Sequence, residues 1–257
     1  MTALMTALMT ALIAERPTMP ERMSSPLSYR DGAAHCTLVA TTPAESPTLW
    51  QDYLDGALAN YRKHGVGSVL DIDEVRDGRS TSLFFAAVAD DGQVLGGVRT
   101  QGPYTCAEQS HAIAEWAGDP GQPEVRRMIS ERLAFGVIEI KTAWVSDTAQ
   151  YRHELADSIP RTAVHAVTLL GARYAFATSA VHTLQRWTTT GSEVVGSLIP
   201  VPYPDERYRT TMIWLDRWTF AQQAAAWQLQ EIMAESAQLS GADQPNETPL
   251  LAAVGTW

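Results

Sequence analysis

The chain has 257 residues, 45% hydrophobic and 19% charged, enough for one sizeable buried core and too apolar for disorder throughout. Lysine and arginine total 19 against 29 for aspartate and glutamate, and the net charge of -10 argues against sequence-independent binding to nucleic acid. The only cysteines, Cys36 and Cys106, lack zinc-ligand spacing and cannot make a disulfide framework, which favours reduced thiols and a cytoplasmic setting.

The opening MTALMTALMTALIAERP has no basic n-region and is too short and polar to span a bilayer. It reads as an appended leader, and residues 1–33 are expected outside the fold, disordered or weakly helical. No other run reaches membrane length. HCTLVATT at 35–42 reads as the first strand. Ser46-Pro47 then starts a helix, with Ser46 as N-cap, and Trp50, Tyr53, Leu54, Ala57 and Tyr61 recur at helical spacing up to Gly65.

FFAAVADDGQVLGGVR predicts two strands over 82–100 joined at Asp91-Gly92. Helical patterns follow near 105–117 and 124–135, the second stopping at Gly136. GVIEIKTAWV at 136–145 is a strand, and a polar linker leads to Pro160, which opens an apolar helix through Leu170. A short strand over Tyr174–Thr178 precedes a helix carrying Val181, Leu184 and Trp187 that ends at Gly191. EVVGSLIPVPY and YRTTMIWLD read as two strands separated by a turn at Pro202–Asp205. A last helix over 217–239 precedes a loose tail. Helices interleaved with strands predict one mixed α/β sheet covered on both faces, with the domain over 34–216 and a C-terminal helix and flexible tail over 217–257.

This order of elements resembles the GNAT acyltransferase fold. YRKHG, DIDEVRDG, FFAAVADDGQVLGGVR and EIKTAWV together are similar to the acyl-homoserine-lactone synthase and long-chain N-acyl amino acid synthase branch. PVPYPDERYRTTMIWLD resembles the end of the N-acyl amino acid synthases, and the likeness covers roughly 45–216. It implies a site of Arg62, Asp71 with Asp73 or Asp77, Arg99 and Glu139. It also implies an acyl-CoA or acyl-phosphopantetheine co-substrate, an acyl carrier protein as possible partner, a small amine or amino acid as acceptor, and no resident cofactor or metal.

The chain departs from the pattern in four places. Val66 and Ile72 stand near the aromatic pair of the lactone synthases, and Thr142 replaces an arginine, which argues against lactone synthesis in particular. YRHELADSIPRTA has no glycine where acetyl-CoA enzymes cradle a pyrophosphate, which favours a carrier-protein donor or no donor at all. Trp187 stands where a tyrosine would protonate the leaving thiolate, and its indole is no acid at neutral pH.

Acyl transfer to an amine requires a base, donors to the developing oxyanion, and alignment of both substrates. Glu139, inside an apolar strand, is the base candidate; the competing reading is a glutamate facing solvent or paired with Lys141 or Arg99. Arg99 suits a carboxylate held by two parallel hydrogen bonds, or else caps a sheet edge. Gly96-Gly97 before it marks close backbone approach or a bulge. The acidic run could hold an ammonium or be merely solvated. Arg161 and Thr162 could meet a phosphopantetheine phosphate at a helix start or lie on an ordinary first turn. Trp144, like Trp116 and Trp187, is core or the wall of an acyl pocket, and His165 and His182 read as packing histidines. A catalytically silent GNAT-like domain binding an acyl ligand or protein, and an acetyl-CoA-dependent N-acetyltransferase, are the alternative functions.

Overall fold

The computed structural model describes residues 25–241. The repeat at the start of the chain and the tail beyond 241 lie outside the described residues. Part of the expected leader is in the fold: β1 (Leu27–Asp31) pairs antiparallel with β2 (Cys36–Thr41), so the boundary expected at 33 falls too late. Leu27, Tyr29 and Asp31 turn inward while Ser28 and Arg30 are exposed. The alternation is a strand's, hidden in the sequence by an inward aspartate.

Helix α1 (Pro47–Lys63) starts at Pro47 as expected, but the Ser46 hydroxyl bonds the Thr41 hydroxyl at 3.0 Å instead of capping. The one-turn helix α2 (Ile72–Val75) follows, then β3 (Leu83–Val88) and β4 (Val94–Gln101), whose hairpin turns at Gly92 with φ of 88°. The helix expected over 105–117 is a 3-10 turn and a single α-turn, α3 (Ala112–Glu115), held above the sheet. Then come α4 (Gln122–Arg132) and β5 (Val137–Val145). The stretch expected as a linker before Pro160 is helical, α5 (Arg152–Ser158), and continues through a 3-10 turn into α6 (Thr162–Leu169). β6 (Tyr174–Ala180) and α7 (Leu184–Thr189) match expectation. The strand expected from EVVGSLIPVPY shrinks to β7 (Glu193–Val194) and a bridge from Val201 to Thr210, because Pro200 and Pro202 have no N–H to give a ladder. β8 (Thr210–Asp216), α8 (Phe220–Gln223) and α9 (Ala226–Leu239) complete the described chain.

The strands form one sheet in the order β1-β2-β3-β4-β5-β6-β8-β7. Every neighbouring pair is antiparallel except β5 and β6, which run parallel. Helices cover both faces, so the architecture is the single mixed α/β sheet that the sequence predicted. On the back face Phe85, Val98, Ile138, Ala175 and Ile213 meet α5, α6, α7 and α9 in one apolar core. On the front face the core is split. Trp50, Tyr53, Phe84 and Trp144 pack under α1 and α2, whereas Trp116, Ile129, Phe176 and Trp214 pack under α3 and α4.

Two irregularities of β5 shape the gap between those clusters. Its pairing with β6 is recorded for Val137, Ile138 and Glu139 alone, and beyond them no ladder joins the two strands. On its other edge the register with β4 shifts between Gly97 and Arg99, the extra residue lying at Thr142, whose φ is +54°. A β-branched residue there is strained and marks a bulge. The bulge reverses the alternation of β5, so that Trp144 joins Val137, Glu139 and Lys141 on the front face. Gly96-Gly97 is a place of close backbone approach, as expected: a Cβ on Gly97 would lie 2.3 Å from the Phe85 carbonyl oxygen and 2.9 Å from the Tyr53 ring. Neither neighbour is free to move, so Gly97→Ala is expected to cost about 1–3 kcal/mol, read as a lower urea midpoint at unchanged slope.

The back-face core ends in a buried polar cluster that joins β1, α6 and α9. Arg161 Nη2 donates to Asp31 Oδ2 at 2.6 Å, Arg161 Nε to Glu235 Oε1 at 2.7 Å, and Arg161 Nη1 to Gln228 Oε1 at 3.1 Å. His165 Nε2 lies 2.7 Å from the other oxygen of Glu235. Among the described residues no helix is long and apolar enough to cross a membrane.

Candidate active site

Between the two front-face clusters runs a polar seam along β4 and β5. The register sets Arg99 opposite Lys141 and Gln101 opposite Glu139, and residues two apart share a face. Arg99 is 3% exposed. Its Nε donates to Thr142 Oγ1 at 3.1 Å and its Nη1 to Thr81 Oγ1 at 3.3 Å, and among the described residues no carboxylate pairs with it. The strained bulge therefore has a visible consequence: it turns the Thr142 hydroxyl toward the guanidinium, while Tyr53 Oη fixes the Thr142 carbonyl at 2.6 Å. The threonine that breaks the lactone-synthase pattern is the residue that holds Arg99.

Glu139 is 1% exposed and fully engaged. Tyr104 Oη donates to its Oε2 at 2.6 Å, the His111 backbone N–H donates to the same oxygen at 3.0 Å, and Lys141 Nζ lies 3.4 Å from Oε1. Burial and the Glu139 charge raise the Tyr104 phenol, so it stays protonated and donates. The bonds that fill Glu139 suit it to holding α3 in place better than to taking a proton, the role expected from the sequence.

Helix α3 adds two residues that the sequence reading passed over. His111 Nδ1 lies 2.8 Å from Glu115 Oε1, and the side chains are 38% and 3% exposed respectively. Glu115 Oε2 is buried with no hydrogen-bond partner among the described residues. The only readable signal was the i, i+4 spacing of histidine and glutamate beside the apolar Ala112 and Trp116. These charges act on two nearby phenols. Burial pushes Tyr61 up to about 12, with Arg99 opposing and Glu115 adding to the shift. Tyr203 is raised by burial, then by Glu115, Tyr61 and Glu139, and its ring lies 6.0 Å from that of His111. His111, Glu115 and Glu139 each bring a ligand atom within 4.8 Å of the others, an imidazole-carboxylate set of the kind divalent ions use. An ion bound by all three would share Glu139 with the Lys141 ammonium, which opposes it.

The other residues expected in the site lie elsewhere. Arg62 is exposed on the last turn of α1, its stem against Gly67. Asp71 caps α2, accepting from the N–H groups of Asp73 at 3.1 Å and Glu74 at 3.2 Å. Asp77 accepts from Arg79 N–H at 2.9 Å, and Asp71, Asp73 and Asp77 are all exposed, so the acidic run is a solvated capping loop. Trp144 is core: a Cβ on Gly56 would stand 2.2 Å from its ring, which shows how closely α1 sits on it. Arg161 and Thr162 form no phosphate site. Arg161 is spent in the back-face cluster, and Thr162, fully buried, donates to the Ile159 carbonyl at 2.6 Å. Trp187 is likewise packed in the back-face core.

In fold the chain is similar to two solved acyl-transferring enzymes. One is FeeM, an N-acyl amino acid synthase from uncultured soil microbes, at 13% identity and a TM-score of 0.49 over 76% of this chain and 98% of that one. The other is BjaI, a CoA-dependent acyl-homoserine lactone synthase, at 15% identity and a TM-score of 0.47 over 75% of this chain and 85% of that one. No protein-family model matches the sequence. An uncharacterized protein of Mycobacterium tuberculosis is 45% identical over 226 residues, covering 87% of this chain and 86% of its own length, and one of Mycobacterium bovis matches equally. The chain belongs to the family of these mycobacterial proteins.

Proposed function

We propose that the protein is an N-acyltransferase that moves an acyl group from a thioester, on a carrier protein or CoA, to the amine of an amino acid. The observation that supports this most is Arg99, a buried guanidinium without a carboxylate partner among the described residues, braced by Thr81 and Thr142. A lone buried charge costs several kcal/mol unless something compensates it. An acceptor's carboxylate, bonded by the planar fork, does so when bound.

The donor reaches the acceptor through the wedge where β5 and β6 part. Behind those strands Ala163, Ala175, Ala177 and Ser192 leave a void of about 10 Å³, room for one water and too small for an acyl chain. The acceptor nitrogen, once deprotonated, attacks the thioester carbonyl. A C–N bond forms, the C–S bond breaks, and the nitrogen's second proton goes to the departing thiolate. The missing glycine cradle after β5 favours a carrier protein over CoA.

Thiol release from lauroyl-CoA and from lauroyl carrier protein, in a mixture of the common L-amino acids, tests this reading. Amine-dependent release with N-lauroyl products by mass spectrometry is expected; no such release from either donor would contradict it. The second reading is a silent domain that binds an acyl ligand. It is favoured by Trp187, which has no acidic hydroxyl and lies in the core.

A further inference from the structure

We infer that His111 and Glu115 are the amine end of this site: Glu115 Oε2 receives the acceptor's ammonium and takes its proton, and His111 holds that carboxylate in place. The inference rests on the acyl-transfer reading and adds to it the base and the charge pattern of the acceptor.

Three observations carry it. Glu139 already has donors on both oxygens, Tyr104 and the His111 N–H on Oε2 and Lys141 at 3.4 Å from Oε1. Glu115 is the reverse case: its side chain is 3% exposed, one oxygen meets His111, and the other is buried without a donor among the described residues. A carboxylate oxygen in that state costs free energy until a donor arrives, and a cationic donor restores most. His111 fixes that carboxylate: its Nδ1–H donates to Glu115 Oε1 at 2.8 Å, which leaves Oε2 as the oxygen that meets the acceptor.

The charges then describe the acceptor. Arg99 has no carboxylate partner among the described residues and stands opposite Lys141, while Glu115, with one oxygen unmet, brings a carboxylate oxygen within 4.8 Å of Glu139, two residues from Lys141 on β5. A molecule with a carboxylate and a primary ammonium, an amino acid in its zwitterionic form, satisfies both. A simple amine leaves Arg99 unmet, and a simple acid leaves Glu115 unmet. In the reaction the ammonium gives one proton to Glu115 Oε2, which releases it to water when the product leaves. The neutral nitrogen attacks, and its remaining extra proton leaves with the thiolate as thiol. Glu139 is a positioning residue, fixing His111 through the backbone N–H.

The test uses the full chain labelled with 15N-histidine, the His111 ring signals assigned by their loss in His111→Gln. The probes are a mixture of the common L-amino acids and the matching mixture of 2-hydroxy acids, which have the carboxylate and no amine. The amino acids are expected to shift the His111 ring nitrogens and the hydroxy acids to leave them in place. Glu115→Gln, nearly isosteric, is expected to lose that response and to lower amine-dependent thiol release ~100-fold, the usual scale for a base. Glu115→Asp, which keeps the charge, recovers part of both and guards against a variant that fails to fold. Acylation within a few-fold of wild type in Glu115→Gln and His111→Gln would overturn the inference and leave acyl transfer standing. A His111 response without acylation from any donor would overturn the transfer reading and keep the amine pocket. Neither response nor acylation would overturn both.

Discussion

Arg99→Met is expected to end acceptor use and leave the protein at least as stable as wild type. Both halves follow from one fact, a guanidinium 3% exposed and bonded to two hydroxyls, with no carboxylate partner among the described residues. Replacing buried ionic groups by apolar ones of similar volume is often neutral or stabilising by about 1–4 kcal/mol even when the charges are paired. Here the wild-type charge has no partner, so the urea midpoint should hold or rise. Function should move the other way. Losing a charge-assisted fork to a carboxylate removes about 3 kcal/mol of binding, on the order of 100-fold in kcat/KM. Arg99→Lys should not restore it, because a single ammonium cannot reproduce the fork. A variant that unfolds would return Arg99 to a structural role at the sheet.

Arg161→Met should do the opposite: lower stability sharply and leave the site intact. Arg161 is as buried as Arg99, but it stands between Asp31 at 2.6 Å and Glu235 at 2.7 Å. Removing it leaves two buried carboxylates facing each other with His165 as the nearest base, and breaking such a pair costs about 3–5 kcal/mol. Against a typical stability of about 5–15 kcal/mol that is a large share, and for a domain of this size it lowers Tm by roughly 10 °C. The cluster joins β1, α6 and α9, so all three should loosen together in hydrogen exchange. A variant with unchanged Tm and a raised KM for the donor would instead mean that Arg161 binds phosphate.

The contrast between these arginines shows what the sequence could and could not reveal. Helix α1 was legible because Trp50, Tyr53, Leu54 and Ala57 repeat at helical spacing, and the hairpin because Asp91-Gly92 breaks two apolar runs. Glu139 and Arg99 stood out as charges inside apolar strands. β1 was not legible: its inward Asp31 reads as surface until its partner, 130 residues away in the chain, is known. The same distance misled the reading of Arg161, which beside Pro160 looked like a phosphate contact. Glu115 is a lone charge in a short apolar helical turn, and only the fold, by laying α3 over the seam, buries it. The acidic run of DIDEVRDG failed for the reverse reason, since local capping of α2 accounts for its charges.

The most direct test of the central claim compares acylation of amino acids with acylation of the same amino acids as their amides, in wild type and Arg99→Met. The amide keeps the attacking nitrogen and removes only the carboxylate. If Arg99 anchors that carboxylate, wild type prefers the free acid by on the order of 100-fold and the preference disappears in Arg99→Met. Equal use of acid and amide by the wild-type protein would contradict the account.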